Sequence, residues 1–401
     1  MIQSIQIKNF KSVVDLSLDL GTFNVLIGEN GCGKSNILEA VAFGAAASAD
    51  KLDYEFLGSR GIRVTNPEFM YSAFSNGKKQ KIIEVDFETN KDKYDYLITN
   101  TPDDSRKWID IRKEAIREKT GGLLKSILFE KNNSKRTNVL EELFKDSKDT
   151  LKLFEKLYEV FPKDKNYFEF TFDKFIKEKF SEDIISNYIV YSPEQSSLRK
   201  FEETTQIYPL GIKGEGLFQY LKELAFDMKN KKTLSGIKQN LILLDWYESF
   251  DLPENLMQNE FALKIKDKYL YPSLQYFDQR STNEGFLFLL FYSTLFISKT
   301  TPKFFAIDNI DSSFNPKLCM QLTKNLAALA KKNKKQVIVT TQNPAILDGL
   351  NLKDNDQRLF VVRRNDEGHT KAKRIEFKTE RTMKLSEVWT NGFIGGLPEN
   401  F

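Results

Sequence analysis

The sequence predicts an α/β fold with a mostly parallel core sheet, an antiparallel β subdomain and a helical insertion. Three observations carry this expectation. The apolar run Phe23–Ile27 passes through a glycine loop into a helical period at Ile37, Leu38, Val41 and Ala42. Two further apolar runs, Lys303–Ile307 and Gln336–Thr340, are separated by a helix-like stretch from Pro316 to Lys332, the β-α-β spacing of parallel strands. Short stretches near the N-terminus alternate polar and apolar residues, as half-buried antiparallel strands do.

Taken in chain order, Ile5 and Ile7, then Val14, Leu16, Leu18 and Leu20, mark two alternating strands. Phe23–Ile27 is continuously apolar, as a strand covered on both faces is. Residues 81–88 and 93–99 read as a hairpin, with Ile83, Val85 and Phe87 on one face. From 101 to 185 the composition shifts to Lys and Glu, with apolar residues at helical spacing in Leu140–Leu143, Leu151–Leu157 and Phe172–Ile176. The 19 basic and 18 acidic side chains of that stretch make it a balanced helical insertion and exclude a basic arm. No heptad run or fixed-period repeat is present. Strand-helix alternation returns with a strand at Asn187–Tyr191, a helix at Leu217–Phe226 and an apolar helix after Gly285. Residues 358–362 and 371–377 close the chain as a hairpin. The expected organisation is residues 1–100 and 187–401 as two halves of one domain, with 101–186 inserted between them.

The chemistry concentrates at three strand ends. Gly28-Glu-Asn-Gly-Cys-Gly-Lys34-Ser35 satisfies G-x-x-x-x-G-K-[ST] between a buried strand and a helix, the context that motif requires. Its glycines let backbone N–H groups wrap phosphates at a helix N-terminus. Lys34 supplies a charge for the β- and γ-phosphates, and Ser35 a hydroxyl for Mg²⁺. Phe304–Ile307 ends in Asp308, a carboxylate expected to hold the same metal through water on a strand beside the P-loop strand. Val337–Thr341 ends in Gln342 and Asn343, and ligands of open α/β sheets sit at such carboxyl ends.

With these residues in view, the segments Ile5–Phe10 and Gly28–Asn36 resemble the start of ABC-type P-loop ATPases of the SMC, RecF and OLD kind. Tyr191–Gln195, Leu198-Arg199 and Gly214–Leu217 resemble the segments between their Walker motifs. Arg280-Ser-Thr-Asn283-Glu284-Gly285 stands where the ABC signature is expected. The resemblance covers roughly residues 1–45 and 187–350 and leaves the insertion unexplained. It implies a head in which Gly28, Asn30, Gly31, Cys32, Gly33, Lys34, Ser35 and Asn36 bind ATP, with Ser35 and Asp308 on Mg²⁺. It also implies that Asn283, Glu284 and Gly285 of a second head meet the γ-phosphate in trans, so that ATP is sandwiched in a homodimer or larger assembly. Closure then follows from the higher affinity of ATP for the closed state.

Three positions depart from that pattern. Asn309 occupies the place of the glutamate that polarises the attacking water, and an amide is a far poorer proton acceptor, a loss of roughly 10²–10⁴-fold. Gln342 replaces the switch histidine and can hydrogen-bond but not protonate. Asn283 stands where Ser is usual. Asp311 and Gln342 are the alternatives for positioning water. The expectation is slow ATP hydrolysis.

Composition narrows the function classes. The 401 residues hold one histidine, His369, which argues against a multi-histidine metal site and a His-Asn-His nuclease module. Turn chemistry places it as an exposed hairpin residue. Two cysteines, no apolar leader in Met1–Phe10 and no apolar run long enough to span a bilayer lead to the expectation of a cytoplasmic protein. A net charge of +4 permits nucleic acid without demanding it. Three readings follow: an ATPase that switches a separate effector, a nuclease or toxin, as in antiphage defence; a RecF-like DNA-binding repair ATPase; or a non-hydrolysing scaffold cemented by ATP.

Overall fold

The structure, a computed structural model, describes residues 1–74, 81–101, 107–114, 183–200, 207–252, 263–379 and 382–397. The helical periods assigned to the insertion at 140–176 lie outside the described residues. Among the described residues thirteen strands follow in chain order: β1 (Ile2–Phe10), β2 (Val13–Asp19), β3 (Phe23–Ile27), β4 (Ile83–Thr89), β5 (Lys93–Asn100), β6 (Trp108–Asp110), β7 (Val190–Tyr191), β8 (Tyr247–Asp251), β9 (Lys264–Asp267), β10 (Phe304–Ile307), β11 (Gln336–Thr340), β12 (Gln357–Arg364) and β13 (Thr370–Ile375). The principal helices are α1 (Lys34–Ser48), α2 (Tyr54–Ser59), α3 (Leu217–Phe226), α4 (Lys231–Asn240), α5 (Glu284–Ile297), α6 (Pro316–Asn333) and α7 (Leu385–Thr390).

The strands form an antiparallel sheet ordered β2-β1-β4-β5-β6, a six-stranded sheet ordered β13-β12-β3-β11-β10-β7, and a β8-β9 pair. Alternation sets the register of the first: Ile5 pairs with Leu18 and Ile7 with Leu16, and all four are buried. Ile83, Val85 and Phe87 of β4 are buried on the same principle. In the second sheet every residue of β3, β10 and β11 is buried, and the pairs β12-β3, β3-β11, β11-β10 and β10-β7 are parallel. Only the β12-β13 hairpin is antiparallel.

Helix α1 touches β1, β4 and β5 on one side and β7 and β11 on the other, so it lies between the sheets. Of its residues only Ser35 and Asn36 escape full burial, the mark of a helix covered all round. A Cβ on Gly44 would stand 2.5 Å from Val85, so only glycine allows β4 this close. Helix α5, equally apolar, packs with α4 and α6 in the second core, which also takes in Val25, Ile27 and Ile307. Gln336 joins the sheets: it accepts from Ile2 N at 2.9 Å and donates to Ile2 O at 2.7 Å and Gly21 O at 2.9 Å.

Several expectations change. The Asp308 strand does not lie beside the P-loop strand; β11 is inserted between them, pairing Val339 with Val25 on one side and with Ile307 on the other. The β-α-β unit through α6 places β11 next to β10, and the neighbour position beside β3 is thereby taken. The strand at 187–191 shrinks to Val190-Tyr191: only these two residues pair with β10, and Val190 N is bonded instead to Arg60 O. Residues 108–110, read as the start of the insertion, extend the antiparallel sheet instead, opposite Ile98–Asn100. His369 is a hairpin residue but not an exposed one. Its side chain is 12% accessible, with Nε2 3.0 Å from Phe74 O and Nδ1 3.1 Å from Glu367.

Candidate nucleotide site

Strand β3 delivers the chain to Gly28 at the carboxyl edge of the sheet, and α1 begins six residues later. Three glycines adopt left-handed geometry there: Gly28 (φ 149°), Gly31 (φ 78°) and Gly33 (φ 108°). A Cβ on Gly28 would meet Val362 O at 2.1 Å, and one on Gly33 would meet Thr370 Oγ1 at 2.1 Å. These two glycines are therefore required twice, by conformation and by space. At Gly31 a Cβ would meet nothing within 4 Å. Lys34 is 7% exposed and its Nζ donates to Gly28 O (2.7 Å) and Glu29 O (2.9 Å), so a cation sits inside the loop, held by the loop's own carbonyls. Cys32 is buried beside it, and that burial pushes its thiol pKa up.

Asp308 is the node of the site. Two strand spacings, about 9–10 Å, separate its strand from β3. Ser35 on the first turn of α1 nonetheless reaches it, donating Oγ to Asp308 Oδ2 at 2.8 Å. Thr340, at the end of the intervening β11, donates its hydroxyl to Asp308 Oδ1 and accepts from Asn309 N at 2.9 Å. The inserted strand thus supplies the residue that fixes the carboxylate. Sequence reasoning passed over Thr340 as a generic polar strand end.

Asn309 is exposed with φ 55°, a left-handed position that Asn tolerates well. Asp311 is turned inward, and Oδ1 accepts from Thr341 Oγ1 at 2.6 Å. Its charge adds to burial in raising the pKa of Tyr292, and in raising that of Cys319 to about 11. Gln342, exposed, donates Nε2 to Asn30 Oδ1, so the segment after β11 is joined to the glycine loop. Asn36 donates to Ser12 Oγ at 2.7 Å and accepts from Arg63 at 3.3 Å.

Asn283 caps α5, its Oδ1 accepting from Phe286 N at 2.9 Å, which gives its replacement of Ser a local reason. Glu284 accepts from Ser313 Oγ at 2.8 Å, and a Cβ on Gly285 would stand 3.4 Å from Ser313 O. Among the described residues no hydrogen bond joins 283–285 to the P-loop. Residues 284 and 285 instead meet Ser313 in the turn after Asp308.

Two buttresses of the loop have no signature in the sequence, because they come from more than 330 residues away. Thr370 Oγ1 donates to Cys32 O at 2.9 Å and pairs with Ser12 Oγ at 2.7 Å. Arg364 donates to Gly31 O at 3.0 Å and lies over the Phe74 ring.

The donor set fits a nucleotide with a hard divalent cation. A glycine cradle with a lysine inside it suits phosphates, and a hydroxyl with a carboxylate at 2.8 Å suits Mg²⁺ completed by phosphate and water oxygens. Among the described residues no group of three or more His, Cys, Asp or Glu side chains could hold a metal ion, so a cation here would depend on phosphate and water oxygens. No described helix is long and apolar enough to cross a membrane.

Comparison with known proteins agrees with this geometry. Residues 23–348 match the family model described as "AAA domain, putative AbiEii toxin, Type IV TA system". The DNA double-strand break repair Rad50 ATPase of Sulfolobus acidocaldarius is 31% identical over 115 residues, 28% of this chain and 11% of that protein. The Methanocaldococcus jannaschii protein of the same description is 32% identical over 95 residues, 23% of this chain and 8% of its own length. The chain therefore spans about a tenth of these relatives. Among solved structures, an Smc head bound to the C-winged helix domain of ScpA superposes with a TM-score of 0.52 at 16% identity, covering 94% of this chain and 98% of that one. The Pyrococcus furiosus Smc head with an extended coiled coil, bound to the C-terminal domain of ScpA, gives 0.50 at 16% identity over 94% and 96%. These likenesses establish an SMC-type ABC ATPase head fold. With four-fifths of its length inside the family model, and a glycine loop of P-loop form within the matched residues, the chain belongs to this AAA-domain family of P-loop ATPases.

Proposed function

We propose that the protein binds ATP and Mg²⁺ at Gly28–Asn36 and Asp308, hydrolyses ATP slowly, and uses the ATP-bound state to assemble with a second head and to switch a separate effector. The observation that carries this reading is the Ser35–Asp308–Thr340 cluster beside an exposed Asn309. The hydroxyl and carboxylate that would hold the metal already meet, while Asn309 offers an amide where a general base would stand. Ser35 and Asp308 would hold Mg²⁺, which would supply positive charge to offset that of the phosphates. The chain's own residues do the rest. Lys34 exchanges two carbonyls for phosphate oxygens, the P-loop amides orient the phosphates, and Thr340 holds Asp308 in register. Gln342, already bonded to Asn30 across the mouth of the loop, can orient a water without accepting its proton.

The contacts of Asn283–Gly285 with the turn after Asp308, and with the start of α5, support a reading in which this segment meets the P-loop of a second copy. The family description, with its toxin and Type IV TA system, supports an effector-switching role in antiphage defence. Rad50 relatives favour a second reading, a DNA-binding repair ATPase. Steady-state phosphate release with and without duplex DNA decides between them. Slow, DNA-independent turnover supports the switch; DNA-stimulated turnover supports repair; no turnover with retained ATP binding supports a scaffold.

A further inference from the structure

The C-terminal segment makes a contact that the nucleotide chemistry does not explain. After α7 the chain turns through Gly392, Gly395 and Gly396, all with positive φ (78°, 74° and 79°), and runs back onto the P-loop. A Cβ on Gly396 would stand 2.6 Å from Val361 Cγ1, 3.5 Å from Gly28 Cα and 3.8 Å from Trp389 Nε1. Ile394 and Leu397 pack against the core that includes Ile27 and Val361. The first residue of the P-loop therefore has Val362 O close on one side and the Gly396 segment close on the other, with no room for a side chain toward Val362.

The same segment is tied to the other end of the site. Ser386 donates to Asp348 through its N–H (3.0 Å) and its hydroxyl (2.7 Å). Asp348 lies in the 3₁₀ turn Pro344–Gly349, which Asn343 caps directly after Gln342. Trp389, between the two contacts, is 3% exposed, and its indole N–H has no partner among the described residues. A buried donor left unpaired is unfavourable, and a small shift that brings a carbonyl to it relieves that.

We propose that Leu385–Leu397 is a strap that reads the occupancy of the P-loop through Gly396 and Gly28, and passes it to the segment after Gln342 through Ser386 and Asp348. The inference rests on the P-loop being a nucleotide site. Phosphate binding withdraws Lys34 Nζ from Gly28 O and Glu29 O, which removes the cation holding the Gly28–Glu29 peptide. Gly396 lies beside the peptide that moves, near enough that a Cβ on it would stand 3.5 Å from Gly28 Cα. Gly396 and Trp389 are positioning residues in this scheme and touch no phosphate. The strap thereby links the P-loop to the Gln342 segment, which itself faces the loop through Asn30.

The test combines calorimetric ATP titration with tryptophan emission, both with Mg²⁺ present, on wild type, Trp389→Phe and Gly396→Ala. Wild type is expected to bind ATP with a saturable emission change. Trp389→Phe should bind ATP and lose that change, a spectroscopic difference that a purely structural tryptophan would not produce. Gly396→Ala, which presses a methyl group toward Val361 and Gly28, should bind ATP at least tenfold more weakly. The wild-type and Trp389→Phe comparison stands even if Gly396→Ala does not fold. ATP-binding heat with no Trp389-dependent emission change, and with unaltered affinity in a folded Gly396→Ala, would overturn the strap while leaving the nucleotide site standing. Absence of binding heat in wild type would overturn the nucleotide site first, and the strap with it.

Discussion

Asn309→Glu tests the catalytic reading most sharply, because the structure separates its local effect from its chemical one. Asn309 is exposed, and its backbone N–H bond to Thr340 Oγ1 at 2.9 Å does not involve the side chain. Its φ of 55° suits Asn better than Glu, so the substitution costs about 1 kcal/mol of stability and leaves the Asp308 cluster intact. A carboxylate one residue beyond Asp308 restores a proton acceptor for the attacking water. Such groups contribute about 10²–10⁴-fold, or about 2.7–5.4 kcal/mol of barrier. The assay is single-turnover ATP hydrolysis at saturating nucleotide, with Asp311→Ala in parallel. Asp311 is engaged by Thr341 at 2.6 Å, so Asp311→Ala should unpair that hydroxyl and leave turnover close to wild type. A wild type that is already active, loses activity in Asp311→Ala and gains none in Asn309→Glu would refute the reasoning and assign the base to Asp311.

Two further outcomes follow from the site and the core. Thr340→Val keeps the shape of the side chain and removes the hydroxyl shared by Asp308 and Asn309 N; loss of a bond to a charged group, about 1.5–3 kcal/mol, should raise the Mg²⁺ concentration needed for ATP binding by about tenfold or more. A Mg²⁺ titration at fixed ATP with an unchanged midpoint would exclude that role. Lys335 is 2% exposed and donates to Thr301 O, Thr301 Oγ1 and Pro302 O, while burial, with Lys303 as the lesser cause, pushes its pKa down to about 7. The unfolded chain keeps that proton up to its ordinary 10.5, so between pH 7 and about 10 the folded state binds fewer protons and stability rises with pH, by at most about 1.4 kcal/mol per unit. Lys335→Met should remove this contribution, and denaturant unfolding at pH 7 and pH 9 would contradict it if the difference in stability between the two proteins stayed constant.

The fold was legible where local periodicity and burial agree. β3, β10 and β11 are continuous apolar runs because both faces are covered, and the glycine loop announces the helix that follows. Strand order was not legible, since a β-α-β unit fixes that β10 and β11 are neighbours but not which of them meets β3. That ambiguity hid Thr340, whose role exists only because β11 is the inserted strand. The meeting of Gly28, Lys34, Ser35 and Asp308 at one sheet edge could be read from spacing alone, because a glycine loop between a buried strand and a helix, and a carboxylate at a strand end, are local patterns. Thr370, Arg364 and Gly396 could not, as they reach the loop from the far end of the chain and act through a hydroxyl, a guanidinium and the absence of a Cβ. His369 misled through turn composition, which fixes the backbone of a hairpin but not what its side chain leans against, here Phe74 and Glu367.

The central claim is that ATP is held by the cradle around Lys34, and thermal unfolding with and without Mg-ATP tests it most directly. Wild type at about a hundred times Kd should gain roughly 2.7 kcal/mol of stability. Lys34→Ala, which removes the cation bonded to Gly28 O and Glu29 O, should show no nucleotide-dependent gain. Undiminished stabilisation by Mg-ATP in a folded Lys34→Ala protein would place the nucleotide elsewhere and contradict the account.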